Sequence, residues 1–152
     1  QLKRRAVPVK YEHVVFCALS PFQLALYKVF MSSPSTKALL KGKDSQPLKA
    51  ITLLRKLCNH PDLVDFDKDL QGAEDTYPDG YDPNDRRRKL DPALSGKMGV
   101  LDRFLAKMKR ETTDKIVLVS NFTSTLDVFE KLCNDRKCVH IVLGSGRDAP
   151  AY

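Results

Sequence analysis

The sequence of 152 residues predicts an α/β fold: a helical region, then an acidic segment, then the first strands of a parallel sheet. Three observations carry this prediction. First, apolar residues recur at helical spacing in four stretches of the chain. Second, two short apolar runs alternate with the last two of these stretches. Third, a segment rich in Asp, Gly, Pro and Asn separates the first two helical stretches from the last two. We therefore expect three parts, at residues 1–64, 65–94 and 95–152.

The first part opens on a predicted strand and a helix. The run Tyr11–Leu19 is β-branched and apolar, which favours a strand. Ser20 then stands at an N-cap, Pro21 at the first helical position and Gln23 three residues after the cap, which is the pattern of a capping box. The predicted buried face of this helix consists of Phe22, Leu26, Val29 and Phe30.

A second helix is predicted to begin between Ser45 and Pro47 and to end in the sequence LCNHP. Pro61 forbids another helical turn, and the side chains of Asn59 and His60 can hydrogen-bond the carbonyl groups that are freed at a helix end. We therefore interpret these three residues as a structural corner. The helix before it is predicted to bury Leu48, Ile51, Leu54 and Cys58.

The same corner holds a thiol and an imidazole, which raises the question of a metal or a catalytic site. A zinc site needs about four ligands, and His13 and His140 lie far from Cys58 in the sequence without paired spacing. Cys58 and His60 stand two positions apart, so on a helix they point in different directions. No metal site and no catalytic residue is predicted. The four cysteines form no dense disulfide pattern, and reduced thiols in an intracellular protein are the simplest interpretation.

Charge is distributed unevenly along the chain. Residues 65–85 hold eight of the 19 acidic residues and one lysine, a net charge of −7, so the remaining residues carry +14. A segment so acidic and so poor in large apolar side chains predicts a flexible linker over residues 65–94. The basic remainder favours a polyanionic partner, with nucleic acid as the first candidate. No run is long and apolar enough to predict a membrane span.

The third part alternates helices and strands. A helix that starts at Ser95 has one apolar stripe, formed by Met98, Leu101, Leu105 and Met108. The runs Lys115–Ser120 and Val139–Leu143 are typical of strands that are buried on both faces. The helix between them is predicted to bury Leu126, Phe129, Leu132 and Cys133. Helix, strand, helix and strand with short connections predict a parallel sheet.

Ligands of open parallel sheets gather where a strand ends and a helix begins. Here that place holds Ser120, Asn121 and Thr123, whose hydroxyl and amide groups suit a phosphate oxygen beside the free N–H groups of a helix start. In the alternative, Thr123 caps the helix and Asn121 makes a turn. Gly144–Gly146 is a weaker candidate for a phosphate loop, since it lacks a Gly-Lys-Ser/Thr ending, and a plain surface turn is the alternative there.

Three motifs in a fixed order indicate a family. They are "LRKLCNHPDL", then "SGKMGVLDRFL" after the acidic segment, then "KIVLVSNFTSTLDVFEKLC". Together they resemble the Swi/Snf-type ATP-dependent DNA translocases, with the closest similarity to the recombination-repair branch, the Rad-fifty-four type. The stretches "KYEHVVFCALSPFQLALYKVF" and "SQPLKAITLLRKLCNHP" fit that branch as well, and the resemblance spans roughly residues 10 to 143.

The resemblance implies a double-stranded DNA translocase of the nucleus that acts in homologous recombination repair and chromatin remodelling with a RecA-like recombinase. In that family two RecA-like lobes of the P-loop NTPase type clamp ATP and magnesium between them. The chain would supply the end of the first lobe with its helical insertion, and the incomplete start of the second lobe. The resemblance also implies that Lys97 of the "SGK" motif, Ser120, Asn121 and Thr123 contact the DNA backbone.

The resemblance also limits what this stretch of chain does by itself. The family's ATP-binding Lys loop, acidic magnesium-binding motif and ATP-sensing arginines match no part of these residues, so we expect a fragment that hydrolyses no ATP alone. For Lys97, a solvated cation at a helix start is the alternative. For the whole chain, the alternative is a stand-alone basic module that binds nucleic acid or protein without ATPase activity.

Overall fold

The computed structural model describes residues 9–42, 47–85 and 88–143, and the regular structure of these residues is helical. The α-helices in the described residues are α1 (Pro21–Ser32), α2 (Pro34–Leu40), α3 (Pro47–Asn59), α4 (Phe66–Asp69), α5 (Gly96–Glu111) and α6 (Thr123–Asp135). Short 3-10 turns lie at Pro61–Leu63, Glu74–Thr76 and Pro92–Leu94. None of the described helices has the length and apolar character that crossing a lipid bilayer requires.

Helix α1 begins as the sequence predicts. The Ser20 hydroxyl accepts a hydrogen bond from the Gln23 N–H at 3.1 Å, and the Gln23 side chain accepts one from the Ser20 N–H at 3.0 Å. This reciprocal capping box satisfies two N–H groups that a helix start leaves free. The predicted start of α3 at Ser45 and the predicted loop Gly144–Gly146 lie outside the described residues.

The first of two apolar cores in the described residues joins α1, α3 and the segment that follows α3. Its buried members are Phe22, Leu26, Phe30, Leu53, Leu57, Val64, Phe66, Leu70 and Ala73. The predicted inner face of α3 is partly wrong, because Leu48 is 73% exposed and Ile51 is 45% exposed. Helix α3 instead turns Leu53 and Leu57 inward, since this side faces both α1 and the following segment.

The acidic segment contributes aromatic rings to this core. Phe22 of α1 meets Tyr81 with ring centroids 4.8 Å apart, and Phe66 meets Tyr77 at 5.2 Å, both edge to face. Such pairs add about 1 kcal/mol each beyond the area they bury. The acids of the segment point to solvent while its few apolar residues pack inward. The flexibility expected for residues 65–94 stays a prediction. The packing of the aromatic rings is the feature that a test of this flexibility has to address.

The second core joins α5 to α6. Its buried members are Leu90, Met98, Leu105, Val128, Leu132 and Cys133. An ion pair between Arg136 and Asp102 connects the two helices at the surface. Lys109 of α5 donates hydrogen bonds to the carbonyls of Arg136 and Lys137, at 2.7 and 2.8 Å, and so contacts the end of α6.

The described residues contain no β-strand, which corrects the prediction of strands at Tyr11–Leu19, Lys115–Ser120 and Val139–Leu143 and of the sheet they would form. Val117 is 82% exposed and Val139 is fully exposed, so the two runs predicted to be buried on both faces are not; in the first run, Phe16 is 95% exposed. A strand is held by backbone hydrogen bonds to a neighbouring strand. No neighbouring segment among the described residues forms such a ladder, so the apolar runs remain without regular structure.

Candidate nucleic-acid interface and the adjoining polar junction

One buried glutamine connects three separate segments of the chain. The Gln23 side chain is fully buried; its Oε1 accepts hydrogen bonds from the N–H groups of Ser20 and Gly96, each at 3.0 Å, and its Nε2 donates to the Leu57 carbonyl at 2.7 Å. The starts of α1 and α5 and the end of α3 therefore meet at a single amide. Together with the corner of α3, this set of hydrogen bonds is the polar junction: Ser20, Gln23, Asn59, His60, Ser95, Gly96 and Lys97.

The end of α3 supplies the next contacts of the polar junction. The Ser95 hydroxyl donates to the Asn59 carbonyl at 2.6 Å, and Lys97 Nζ donates to Asn59 Oδ1 at 3.0 Å. Ser95 is also the N-cap of α5, where its oxygen accepts the Met98 N–H at 3.2 Å. The corner thus satisfies its freed carbonyl through a residue 36 positions away, and the start of α5 is held against the end of α3.

His60 is the buried side chain of the corner. Its Nδ1 accepts the Asp62 N–H at 3.1 Å and its Nε2 lies 3.0 Å from the Asp91 carbonyl. An acceptor at Nδ1 and a donor at Nε2 describe a neutral imidazole with its proton on Nε2. Burial lowers the pKa of His60 below its usual value, against the opposing influence of the Asp62 carboxylate. The histidine therefore connects the corner to the segment before α5 as a neutral group.

A charged cluster lies beside His60. Asp62 accepts a hydrogen bond from the Tyr81 hydroxyl at 3.1 Å and forms an ion pair with Arg88. The Arg88 guanidinium also lies over the Tyr81 ring, 4.3 Å from its centroid. Burial and the nearby Asp62 raise the pKa of Tyr81, which keeps the phenol protonated and able to donate. The cluster attaches the later part of the acidic segment to the corner.

Gly96 permits the close approach on which the polar junction depends. A Cβ atom at this position would lie 1.7 Å from the Ala18 carbonyl oxygen, far inside any real contact distance. Steric exclusion therefore explains the glycine of the "SGK" motif. Only a residue without a side chain allows the start of α5 to pack against the backbone that leads into α1.

The predicted phosphate-contacting residues lie at the start of α6. Phe122 is the N-cap and its side chain makes no cap hydrogen bond, so the alternative in which Thr123 caps the helix is wrong. The Ser120 hydroxyl accepts the Phe122 N–H at 3.1 Å and thereby forms the turn that precedes the helix. Asn121 and Thr123 are exposed. The first N–H groups of α6 thus lack a side-chain cap and face an accessible polar surface.

The structure divides the predicted site residues between two places. Lys97 belongs to the polar junction, where it contacts Asn59, while Ser120, Asn121 and Thr123 form the turn and first residue of α6. Sequence reasoning identified Gln23 only as a capping residue and missed its bonds to α3 and α5. A Gln at the third helical position satisfies a cap whether or not it has remote partners, so the sequence carried no signal for them. Among the described residues no cluster of three or more metal-binding side chains occurs.

Comparison with known proteins defines the class first. Residues 1–63, which include α1, α3 and the corner, match the family model of the SNF2-related domain. This match covers about two fifths of the chain, and similarity to individual proteins covers 84 to 90% of it; together they show that the chain belongs to the Swi/Snf-type family. Within this family it belongs to the Rad54-type branch, as the similarity to individual proteins shows.

Three relatives illustrate this similarity. The chain is 59% identical over 133 residues to the DNA repair protein rhp54 of Schizosaccharomyces pombe, with 86% of the chain covered. It is 46% identical over 130 residues to the DNA repair and recombination protein RAD54 of Saccharomyces cerevisiae, and 47% identical over 145 residues to the human RAD54-like protein, covering 84% and 90% of the chain. The chain spans only 16%, 14% and 19% of the length of these relatives.

Proposed function

We propose that the chain is part of a DNA-dependent ATPase that translocates on double-stranded DNA in homologous recombination repair and chromatin remodelling. The observation that carries the proposal is the identity of 46 to 59% to relatives whose names are DNA repair and recombination proteins. The complete protein would act in the nucleus, use ATP and magnesium, and cooperate with a RecA-like recombinase. The chain would form the end of one RecA-like lobe and the start of the next.

Within this proposal, the function of the chain is to bind the DNA backbone. Outside residues 65–85 the sequence carries a net charge of +14, which favours phosphate groups over neutral or cationic partners. The start of α6 offers the hydroxyl of Thr123, the amide of Asn121 and uncapped N–H groups, a set that suits phosphate oxygens and reads no base edge. Such contacts are indifferent to sequence, as a protein that steps along any DNA requires.

In the same proposal, the polar junction transmits movement between the two lobes. It holds the start of α5 against the end of α3 through Gln23, Asn59 and Ser95. We place the end of the SNF2-related region on one side of this contact and the start of the second lobe on the other. Movement of one lobe would then reach the DNA-contacting turn at α6 through α5 and the core that α5 and α6 share.

Binding to two unrelated DNA duplexes over a salt series tests the proposal. We expect affinity to fall steeply with salt and to be equal for both duplexes, because the contacts are electrostatic and reach only the backbone. Thr123→Ala and Lys97→Ala should weaken binding by the same factor on each duplex. Lys107→Ala is the matched control, because it removes another exposed lysine from α5 about 15 Å farther along that helix.

The outcomes separate the possible readings of the site. A loss with Lys107→Ala as large as with Lys97→Ala would reduce the role of Lys97 to net charge alone. Affinity that does not change with salt, or that strongly favours one duplex, would contradict the backbone-binding proposal. Full binding by the Thr123→Ala variant would remove the start of α6 from the DNA surface.

A further inference from the structure

The two cysteines at the end of α6 occupy positions that a helix-terminating motif brings together. Helix α6 ends in a Schellman turn: the Cys138 N–H donates to the Cys133 carbonyl at 2.8 Å, and the Lys137 N–H donates to the Asn134 carbonyl at 2.9 Å. Lys137 has a φ of 51°, the left-handed conformation that this turn requires. Such turns frequently bring the side chains of the third-last helical position and of the second residue beyond the cap into contact, and here both residues are cysteines.

The backbone bond sets a limit on the distance between the two residues. The N···O separation of 2.8 Å, with standard bond lengths on either side, keeps the two Cα atoms within roughly 6.7 Å. Disulfides form at Cα separations of about 4.4 to 6.8 Å, so the Cα separation of this pair lies within the range that a disulfide can span. Cys138 also packs against the core cluster that contains Cys133. Both thiols are free in the structure.

The two thiols differ in access. Cys133 is 8% exposed, whereas Cys138 is half-buried and its sulfur lies 3.9 Å from the Arg136 carbonyl oxygen. Burial, with a smaller contribution from Cys138, raises the pKa of the Cys133 thiol. Cys138 is therefore the thiol that reacts first with a dissolved oxidant. Cys133 is placed to attack the mixed disulfide on Cys138 and to displace the group bound there.

We infer that Cys133 and Cys138 form a reversible intramolecular disulfide, so that the end of α6 is a redox-modification site for a small disulfide oxidant such as oxidised glutathione. The Cys138 thiolate attacks one sulfur of the oxidant, forms a mixed disulfide and releases one molecule of glutathione. The Cys133 thiolate then attacks the Cys138 sulfur and releases the second. The two cysteines lose two electrons and two protons, and oxidised glutathione gains both. This inference does not depend on the proposed function.

The disulfide would restrict the conformation of the chain where it leaves α6. The disulfide would hold the left-handed turn at Lys137 closed and so fix the direction in which residues 139–143 leave the helix. The ammonium of Lys109 already contacts the carbonyls of this turn, so oxidation would add a covalent bond to an end that α5 supports by hydrogen bonds.

Peptide mapping of the oxidised chain tests the inference. The 152-residue protein is equilibrated with mixtures of reduced and oxidised glutathione, trapped with an alkylating agent and digested with trypsin. Because trypsin cleaves after Arg136 and Lys137, the disulfide would join the peptides 132–136 and 138–147, a product that disappears on reduction. The Cys17→Ser/Cys58→Ser variant should keep this product and Cys138→Ser should lose it. If the variant with two serines does not fold, mapping of the unaltered chain gives the same answer.

Comparing the equilibrium constant for disulfide formation in the folded and unfolded chains shows whether the fold favours the pairing of Cys133 with Cys138. We expect the equilibrium constant for disulfide formation to fall at least tenfold in concentrated urea, where the Schellman turn is lost. The Lys137→Gly variant should keep the native constant because Gly adopts positive φ freely, and Lys137→Val should lower it. A mixed disulfide on Cys138 beside an alkylated Cys133 would overturn the inference. Equal constants in the native and urea-unfolded chain would overturn it as well.

Discussion

The polar junction and the three apolar runs that lack regular structure make the sharpest comparison within this molecule. In the polar junction, Gln23 and Ser95 bond partners that lie 34 to 73 residues away and both are almost wholly buried. In the run Lys115–Ser120, Val117 and Val119 are about four-fifths exposed although the sequence there is apolar. The difference teaches that apolar composition does not by itself bury a segment. Burial follows where the segment's backbone groups also find partners.

Replacing the hub of the polar junction should produce the largest effect. We expect Gln23→Met, which keeps the length of the side chain, to lower the free energy of unfolding by about 4 kcal/mol because it leaves two N–H groups and one carbonyl without their partner. Urea denaturation followed by circular dichroism measures this. Gln71→Met is the control, since the Gln71 amide makes one exposed bond to the Asp67 carbonyl and should matter little. Equal losses in both variants would show that the junction contributes no special stability.

The close approach at Gly96 gives the next effect. A methyl group there would collide with the Ala18 carbonyl, so we expect Gly96→Ala to cost about 3 kcal/mol through displacement of the backbone. In the matched control, Gly99→Ala in the same helix, the added carbon would lie 3.5 Å from the carbonyl of Pro92 in the preceding 3-10 turn, an ordinary contact distance. That control should be neutral or stabilising by about 0.5 kcal/mol. A Gly96→Ala variant as stable as the control would refute the steric reason for the "SGK" glycine.

His60 makes the stability of the polar junction depend on pH. Its pKa is lower in the folded chain than in the unfolded chain, so the unfolded chain binds more protons as the pH falls. The histidine's contribution is complete above about pH 6.5 and is lost below it, with a slope approaching about 1.4 kcal/mol per pH unit. Denaturation midpoints between pH 7.5 and 5 for the original chain and for His60→Gln measure it, and the variant should lack this slope. Identical slopes would assign the dependence to other groups.

The smallest effect is expected in the apolar runs. Val117→Ser should change the free energy of unfolding by less than about 0.5 kcal/mol because the side chain is 82% exposed. Val128→Ser, at a side chain 4% exposed in α6, should cost about 2 kcal/mol. Similar costs for the two valines would show that the run Lys115–Ser120 is buried in solution and would overturn the comparison itself.

Much of the candidate site was predictable because its residues stand at the ends of helices. Ser20 and Ser95 were identified as helix starts, and Pro61 as a helix stop, from short-range patterns alone. The same patterns identify Gln23 only as part of a cap, because its hydrogen bonds to Leu57 and Gly96 join residues that are distant in the chain. The sequence predicts an inward face of α3 that includes Leu48, Ile51, Leu54 and Cys58, whereas Leu53 and Leu57 are the buried residues. An amphipathic pattern with apolar residues on two sides does not indicate which side meets a neighbour.

The sequence by itself determined where α1, α5 and α6 lie, because a helix closes its hydrogen bonds within four residues and its caps are local. It also determined the family, through three motifs in a fixed order. Only the tertiary structure decided that the corner, the start of α1 and the start of α5 form one hydrogen-bonded junction around Gln23. It also decided that three strand-like runs stay without a ladder. Both outcomes depend on partners distant in the chain, and neither the spacing of residues nor their propensities encode which distant groups come within hydrogen-bonding reach.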